Sequence, residues 1–426
     1  MRLRTTELLA LRGLRPDGQV LLLTRVVRMF AYGFLAVILA LYFTELGWEN
    51  SQVGALLTIT LAGNAFITLA ITTRADRIGR KKMLLFSAAL MLAAGITLLL
   101  TDNFIMLAIA GILGTISPTG LEVGAFAPIE QAALPQSTTD KQRTKVFAWY
   151  NLFGFFSTAL GSLIGGVLSS VLQSNGVMPL NSYRVVIVAY LAACLLLIWI
   201  YSWLSPMMEA PRRRVMDVSA LGLHISRGKI YRLAGLYALD AFAGGLVVQS
   251  LFAYWFKAKF GADEALIGLI FFMGNVLAGI STLGAARLAK RLGLLRTMVW
   301  SQIPAAILMM LIPFMPHIAL AILLFLLRAS VAQMDMPTRQ SYLVAIVQPD
   351  ERSAAAGVTN IARTFGTSLS PALSGVLLGA SLLTLPFLLS GVLKIGYNAA
   401  LYRFFKGEVP PEEVKQPTQS AIMPRE

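Results

Sequence analysis

Arg25, Arg28, Glu122, Glu130, Asp240, Arg328, Asp335, Arg339 and Arg363 all fall inside long apolar runs of this 426-residue chain. A charge at mid-bilayer costs about 2.5–3.5 kcal/mol on insertion scales, so ionisable groups in such runs are candidates for binding, proton movement or gating. A carboxylate there can take up a proton or a cation. A guanidinium can neutralise an anion.

Glu122 lies in "SPTGLEVGAFAP", between Pro118 and Pro128 and among Gly120 and Gly124. Proline and glycine at this density break or bend a helix. Desolvation of a carboxyl group at such a break favours its neutral form, and Glu122 is therefore a candidate for proton coupling or cation binding. The alternative is a structural partner for Arg25 or Arg28. Arg363, near the middle of its run and equivalent to Gly154 in the first half, is the candidate to neutralise an anionic solute, or else to balance Glu122.

The chain repeats itself. "PIEQAAL" at 128–134 returns as "PTRQSYL" 209 positions later, with Pro128/Pro337, Gln131/Gln340 and Leu134/Leu343 kept and Glu130 replaced by Arg339. Asn151/Asn360 share that offset, and Gly54/Gly268 recur at an offset of 214. Arg28 and Asp240 align at 212, again with opposite charges, whereas Glu122 aligns with Val331. Positions related by a pseudo-twofold axis can face each other across it. The reversed charges then suggest cytoplasmic gate pairs, Arg28–Asp240 and Glu130–Arg339, closed when the protein opens outward. Local pairing, Glu130 with Arg80 or Arg143 and Arg339 with Asp335, is the competing expectation.

The elements that must hold these residues follow from composition. The chain is 57% hydrophobic and 13% charged, with a mean hydropathy of +0.70; a soluble domain carries about 25% charged residues. Backbone polar groups in lipid must be satisfied within each segment, which selects helices. Twelve spans are expected, at 19–44, 51–73, 83–101, 104–130, 145–172, 183–205, 231–256, 266–288, 294–315, 317–343, 353–380 and 382–405. The fold class is thus an all-α membrane protein of two pseudo-symmetric six-helix bundles, 19–205 and 231–405. A tail at 1–18, a linker at 206–230 and a tail at 406–426 complete the chain. Most of the 36 Lys and Arg lie in the tails and in the loops on their side, while the opposite loops hold only Arg184, Lys257 and Lys259. By the positive-inside rule both termini are cytoplasmic, in a plasma-type membrane. The net charge of +15 reports this topology and contact with the bilayer surface, not nucleic acid, since no basic soluble domain exists to bind it. Cys194 stands alone, His224 and His317 have no companions, and no nucleotide-binding or nucleophile motif appears; no metal, cofactor or enzymatic activity is expected.

Between the second and third spans the chain reads "TTRADRIGRKKML". Asp76, Arg77, Gly79, Arg80 and Lys81 resemble the cytoplasmic signature of the major facilitator superfamily, GxxxDRxGRR, with Thr72 at the glycine position. A degenerate copy, "RLAKRLG", lies between spans eight and nine, with Lys290 at the aspartate's place. The resemblance implies that spans one, four, seven and ten line a central cavity. It also implies that Asp76, Arg77, Gly79 and Arg80 control conformation, with Asp76 facing the start of span eleven. On that reading Arg28, Tyr32, Asn151, Asp240, Gln249, Asn360 and Arg363 are cavity candidates. The expected function is secondary transport of a small solute by alternating access, coupled to H+, with efflux of amphipathic compounds or a non-transporting sensor as alternatives. Gly161, Gly165 and Gly166 are similar to the antiporter motif of exporters, but Ile164 precedes Gly165, so the motif's glycine-proline pair is absent. Oligomeric state is not legible, and a monomer is compatible with every feature above.

Overall fold

The computed structural model describes residues 14–114, 116–138, 140–209, 226–348 and 351–408, and every regular element among them is a helix. The first half holds α1 (Pro16–Glu45), α2 (Asn50–Ile78), α3 (Arg80–Leu100), α4 (Phe104–Leu113), α5 (Phe126–Ala133), α6 (Asp140–Ser174) and α7 (Pro179–Ser202). The second holds α8 (Arg227–Gly245), α9 (Gln249–Phe260), α10 (Glu264–Leu292), α11 (Leu294–Leu311), α12 (Ile318–Ala332), α13 (Asp335–Ile346), α14 (Arg352–Gly379) and α15 (Leu385–Phe405). Local chemistry sets these ends. Pro16 and Pro179 open α1 and α7, where a missing N–H is harmless. The side chains of Asn103 and Asp263 cap α4 and α10 by accepting from Ile105 N, Met106 N and Leu266 N.

Three expected spans are broken. The fourth becomes α4 and α5, the seventh α8 and α9, the tenth α12 and α13. Gly120 and Gly124, at φ 66° and 80°, supply the left-handed backbone of the first break. The carbonyls freed at the second are satisfied from neighbouring helices: Ser390 Oγ donates to Ala243 O (2.6 Å) and Ser374 Oγ to Leu246 O (2.5 Å). At the third, Gln302 Nε2 donates to Ala332 O (2.6 Å). Interrupted helices are tolerated in lipid only where such partners or a cavity receive their backbone.

Among the described residues nine helices, broken ones included, are long and apolar enough to cross a membrane. The expected number was twelve. The segments that fall short are α4, which is brief, and α14 and α15, which bury polar groups such as Ser368, Ser370, Ser374 and Asn398 inside the protein. Large apolar side chains, among them Leu195, Trp199, Phe365 and Val392, point outward instead, as a lipid-facing surface requires.

The two halves meet along two seams, α2 against α14 and α6 against α10. Each is a glycine crossing. A Cβ on Gly54 would stand 2.4 Å from Pro371 O and 2.7 Å from Gly375 Cα; one on Gly166 would stand 2.2 Å from Glu264 O and 2.9 Å from Gly268 Cα. Gly54 and Gly268 are repeat equivalents, as are Gly166 and Gly375, so the two crossings are one contact made twice. Around them Asn50 Nδ2 donates to the Tyr254 hydroxyl (2.9 Å), and the Tyr183 hydroxyl to Glu264 Oε1 (2.6 Å). Ser170 Oγ meets Asp263 (3.2 Å), and Thr58 Oγ1 accepts from Ala372 N (2.7 Å). All lie on the face opposite the chain ends. That face is sealed.

Candidate functional site

The break between α4 and α5 brings the first half's charges together. Glu130 is fully buried on α5, and both its oxygens are saturated. Oε1 accepts from Thr24 Oγ1 (3.1 Å), Arg28 Nη1 (2.7 Å) and the Tyr201 hydroxyl (2.6 Å); Oε2 accepts from Arg28 Nη2 (2.7 Å) and the Tyr150 hydroxyl (2.6 Å). Arg28 also donates through Nε to Glu122 Oε1 (3.0 Å). Arg25 pairs with the other oxygen of Glu122 and lies over the Tyr150 ring, 4.4 Å from its centroid. Its guanidinium occupies the space that Gly154 leaves free, since a Cβ there would approach Arg25 Nη2 to 2.9 Å. Burying such charges is sustainable only with bidentate geometry and full hydrogen bonding, which this cluster has around Glu130.

The second half repeats the contact with its signs exchanged. Asp240 on α8 accepts from Arg339 on α13 (3.2 Å), Arg363 on α14 (3.3 Å) and Lys394 on α15 (2.8 Å). Arg339 also meets Asp335, 3.0 Å away. Arg28–Glu130 and Asp240–Arg339 are therefore repeat-equivalent ion pairs, each inside its own half and of reversed polarity. The cross-half pairs Arg28–Asp240 and Glu130–Arg339 are not formed in this conformation. Glu130 pairs with Arg28, not Arg80, and the side chain of Arg143 lies outside the described residues.

A cavity of about 320 Å³ opens beside this second cluster. Its wall includes Thr119 and Leu121 from the α4–α5 break, Gln249 from the start of α9, and the charged residues Asp240, Arg328, Asp335, Arg339, Arg363 and Lys394. Four cations face two anions. Of the expected cavity residues, Asp240, Gln249 and Arg363 line it, while Arg28, Tyr32, Asn151 and Asn360 do not. Tyr32 is buried and donates to Val123 O (3.3 Å), bracing the α4–α5 break. Asn151 and Asn360 are both exposed, at equivalent positions on α6 and α14. Gln249 joins the halves, donating to Ser162 Oγ (3.1 Å).

On the face of the chain ends, Gly79 turns the chain between α2 and α3 at φ 119°, and Gly293 does the same between α10 and α11 at φ 87°. Glu209 crowns the start of α3, accepting from Arg80 N (2.5 Å) and Lys81 N (3.3 Å) at the positive end of that helix. Arg80 is buried and reaches Ala132 O and Met208 O, both at 3.4 Å; Arg77 is exposed. The side chain of Asp76 lies outside the described residues.

Two groups escaped the sequence reading. Lys394 was legible as a cation inside the last apolar run, yet nothing in the repeat singled it out. Tyr150 and Tyr201 carry no charge, so no pattern marked them as the acceptor-saturating partners of Glu130.

Comparison with known proteins agrees with this architecture. Residues 21–256 and 233–424 each match the family model for the Major Facilitator Superfamily. The chain is 26% identical over 416 residues to the uncharacterized membrane protein YJR124C of Saccharomyces cerevisiae, covering 89% of this chain and 92% of that one. It is 26% identical over 268 residues to the 4-hydroxybenzoate transporter PcaK of Pseudomonas putida, covering 59% and 53%. Its fold is similar to that of a bacterial homologue of the iron transporter ferroportin in an inward-facing state, with a TM-score of 0.72, 16% identity and coverage of 91% and 98%.

Proposed function

The chain belongs to the Major Facilitator Superfamily, and from that premise we propose that it moves its solute by proton-coupled alternating access, with the solute held in the Asp240–Arg328 cavity. As a member it is an integral membrane transporter of small solutes and not an enzyme. The solutes named for its relatives differ, so the family leaves the class open.

One observation carries the reading: the face opposite the chain ends is closed by two symmetric glycine crossings, while a charged cavity lies at the depth of the helix breaks. Sites of this type sit near the bilayer midplane between repeats, lined by discontinuous helices. With the termini cytoplasmic, as the loop charges indicate, closure of the opposite face supports reading this conformation as inward-facing.

Glu122 is the proposed coupling residue. Its carboxylate holds both Arg25 and Arg28, but Arg28 has a second anion in Glu130. A proton on Glu122 therefore leaves Arg28 paired and Arg25 without a carboxylate. An uncompensated buried cation is costly, several kcal/mol after relaxation, and relief comes from moving the α4–α5 break. Protonation is thereby linked to the conformational change.

The test is uptake into proteoliposomes, with the solute chosen by ligand-dependent thermal shift. Glu122→Gln is expected to lose the pH-gradient-driven component at least tenfold while retaining exchange of solute at equal concentration. Uptake by Glu122→Gln that responds to the gradient like the parent would remove the coupling proposal.

A further inference from the structure

The charges of the cavity do not balance, and the imbalance has an address. Asp240 is shared by Arg339, Arg363 and Lys394, and Asp335 pairs with Arg339. Arg328, on α12, lines the same cavity half-buried and makes no ion pair or hydrogen bond among the described residues. A guanidinium held away from bulk water without an acceptor is a ready partner for a carboxylate, which it can bind through two parallel hydrogen bonds. Part of the same lining is apolar, and Phe325 stands one turn from Arg328 on α12. Phe252, Phe271 and Phe325 pack edge-to-face, with centroids 5.1 Å apart for Phe252–Phe325 and 5.7 Å for Phe271–Phe325. All three rings line the cavity.

We propose that the solute is a small organic anion, its carboxylate on Arg328 and its apolar or aromatic body against Phe252, Phe271 and Phe325. The assignment rests on the reading of this cavity as the solute site. The two surplus positive charges of the wall favour an anion over a zwitterion, and repel cations. A sugar-like polyol would leave the guanidinium without an anion and set hydroxyls against phenylalanine faces. An apolar-bodied carboxylate satisfies both surfaces together, in a volume of the size it needs.

Purified protein in lipid nanodiscs is titrated with acetate, benzoate, indole-3-carboxylate, benzamide, benzylamine and glucose, reading the shift in unfolding temperature and the affinity by calorimetry. Benzoate or indole-3-carboxylate is expected to stabilise the parent, with benzamide and benzylamine at least tenfold weaker. Arg328→Gln should lose the carboxylate response at least tenfold and Arg328→Lys should keep part of it. Both variants should unfold no earlier than the parent, because no native partner of Arg328 is lost. The proposal is overturned if the carboxylates stabilise Arg328→Gln as well as the parent, if neutral or cationic probes bind better, or if no carboxylate binds. Preference for glucose or benzylamine, weakened by substitutions at Asp240 or Gln249, would leave the cavity as the solute site and reject only the anion. Binding insensitive to every cavity substitution would reject the site itself.

Discussion

Gly54→Val and Gly166→Val are expected to reduce transport by about fivefold or more while leaving the protein folded. Each glycine lies against backbone of the opposite half: Gly54 on Pro371 and Gly375, Gly166 on Glu264 and Gly268. Backbone atoms cannot turn aside as a flexible side chain can, so a Cβ at 2.2–2.9 Å forces the seam apart. Overpacking of this kind costs about 1–3 kcal/mol, a factor of roughly 5–150 in a two-state population. The penalty falls only on the state closed at this face, because the halves separate here in the other. The variants should therefore accumulate in the open form rather than unfold, and their solute exchange should slow with their net uptake. Gly235→Ala is the control; no atom lies within 4 Å of its Cβ position on α8, and transport should be unchanged. Full activity in both valine variants would show that the glycine crossings do not limit closure.

The second large effect concerns Glu130. Glu130→Gln removes the charge that Arg28 grips with two nitrogens and turns one of the two oxygens that accept from tyrosine hydroxyls into an NH2 donor. Breaking a buried pair from one side costs about 3–5 kcal/mol, and the unfolding temperature should drop by many degrees. Rescue reports the partner. In a Glu122→Gln background, which removes the neighbouring carboxylate, Glu130→Arg combined with Arg28→Glu should recover most of the loss. The second half already shows that the scaffold accepts this polarity, with the acid at Asp240 and the base at Arg339. Glu130→Arg combined with Arg339→Glu should recover nothing, since Arg339 has its partners, Asp240 and Asp335, in its own half. Recovery by the cross-half exchange, with none by Arg28→Glu, would restore the gate-pair expectation. The coupling energy of the double-mutant cycle separates the two.

Much of the fold was legible because lipid imposes its own rules. Apolar length, loop charge and the 209-residue echo of "PIEQAAL" in "PTRQSYL" led to helices and a duplication, and the Asp76–Lys81 motif led to the resemblance to the superfamily. The breaks were partly legible. Gly120 and Gly124 announced the first, but the breaks after Gly245 and Ala332 are held by Ser374, Ser390 and Gln302, which come from other helices and leave no local pattern. The site was harder for the same reason. The repeat singled out Arg28, Glu130, Asp240 and Arg339, yet a repeat aligns positions without saying which neighbour each one faces. Reversing both members of a pair inside one half leaves the same trace as reversing one member on each side of an axis. Only the placement of α1 against α5 and of α8 against α13 distinguishes them. The tyrosines around Glu130 depended on packing of α6 and α7 against α5, and Lys394 on packing of α15 against α8, which no sequence spacing encodes.

Alternation between two faces is the central claim, and distances measured across both faces test it most directly. Spin labels at Asn175 and Ser381, on the sealed face, and in a second protein at Lys82 and Arg296, on the face of the chain ends, are read by pulsed electron resonance in nanodiscs. The glycine-crossing variant Gly54→Val is measured beside the parent. The parent should populate a state with a short sealed-face distance and a long chain-end distance, and Gly54→Val should lengthen the first while shortening the second. Distances that stay fixed on both faces, or that lengthen together, would contradict alternating access by rocking of the two halves.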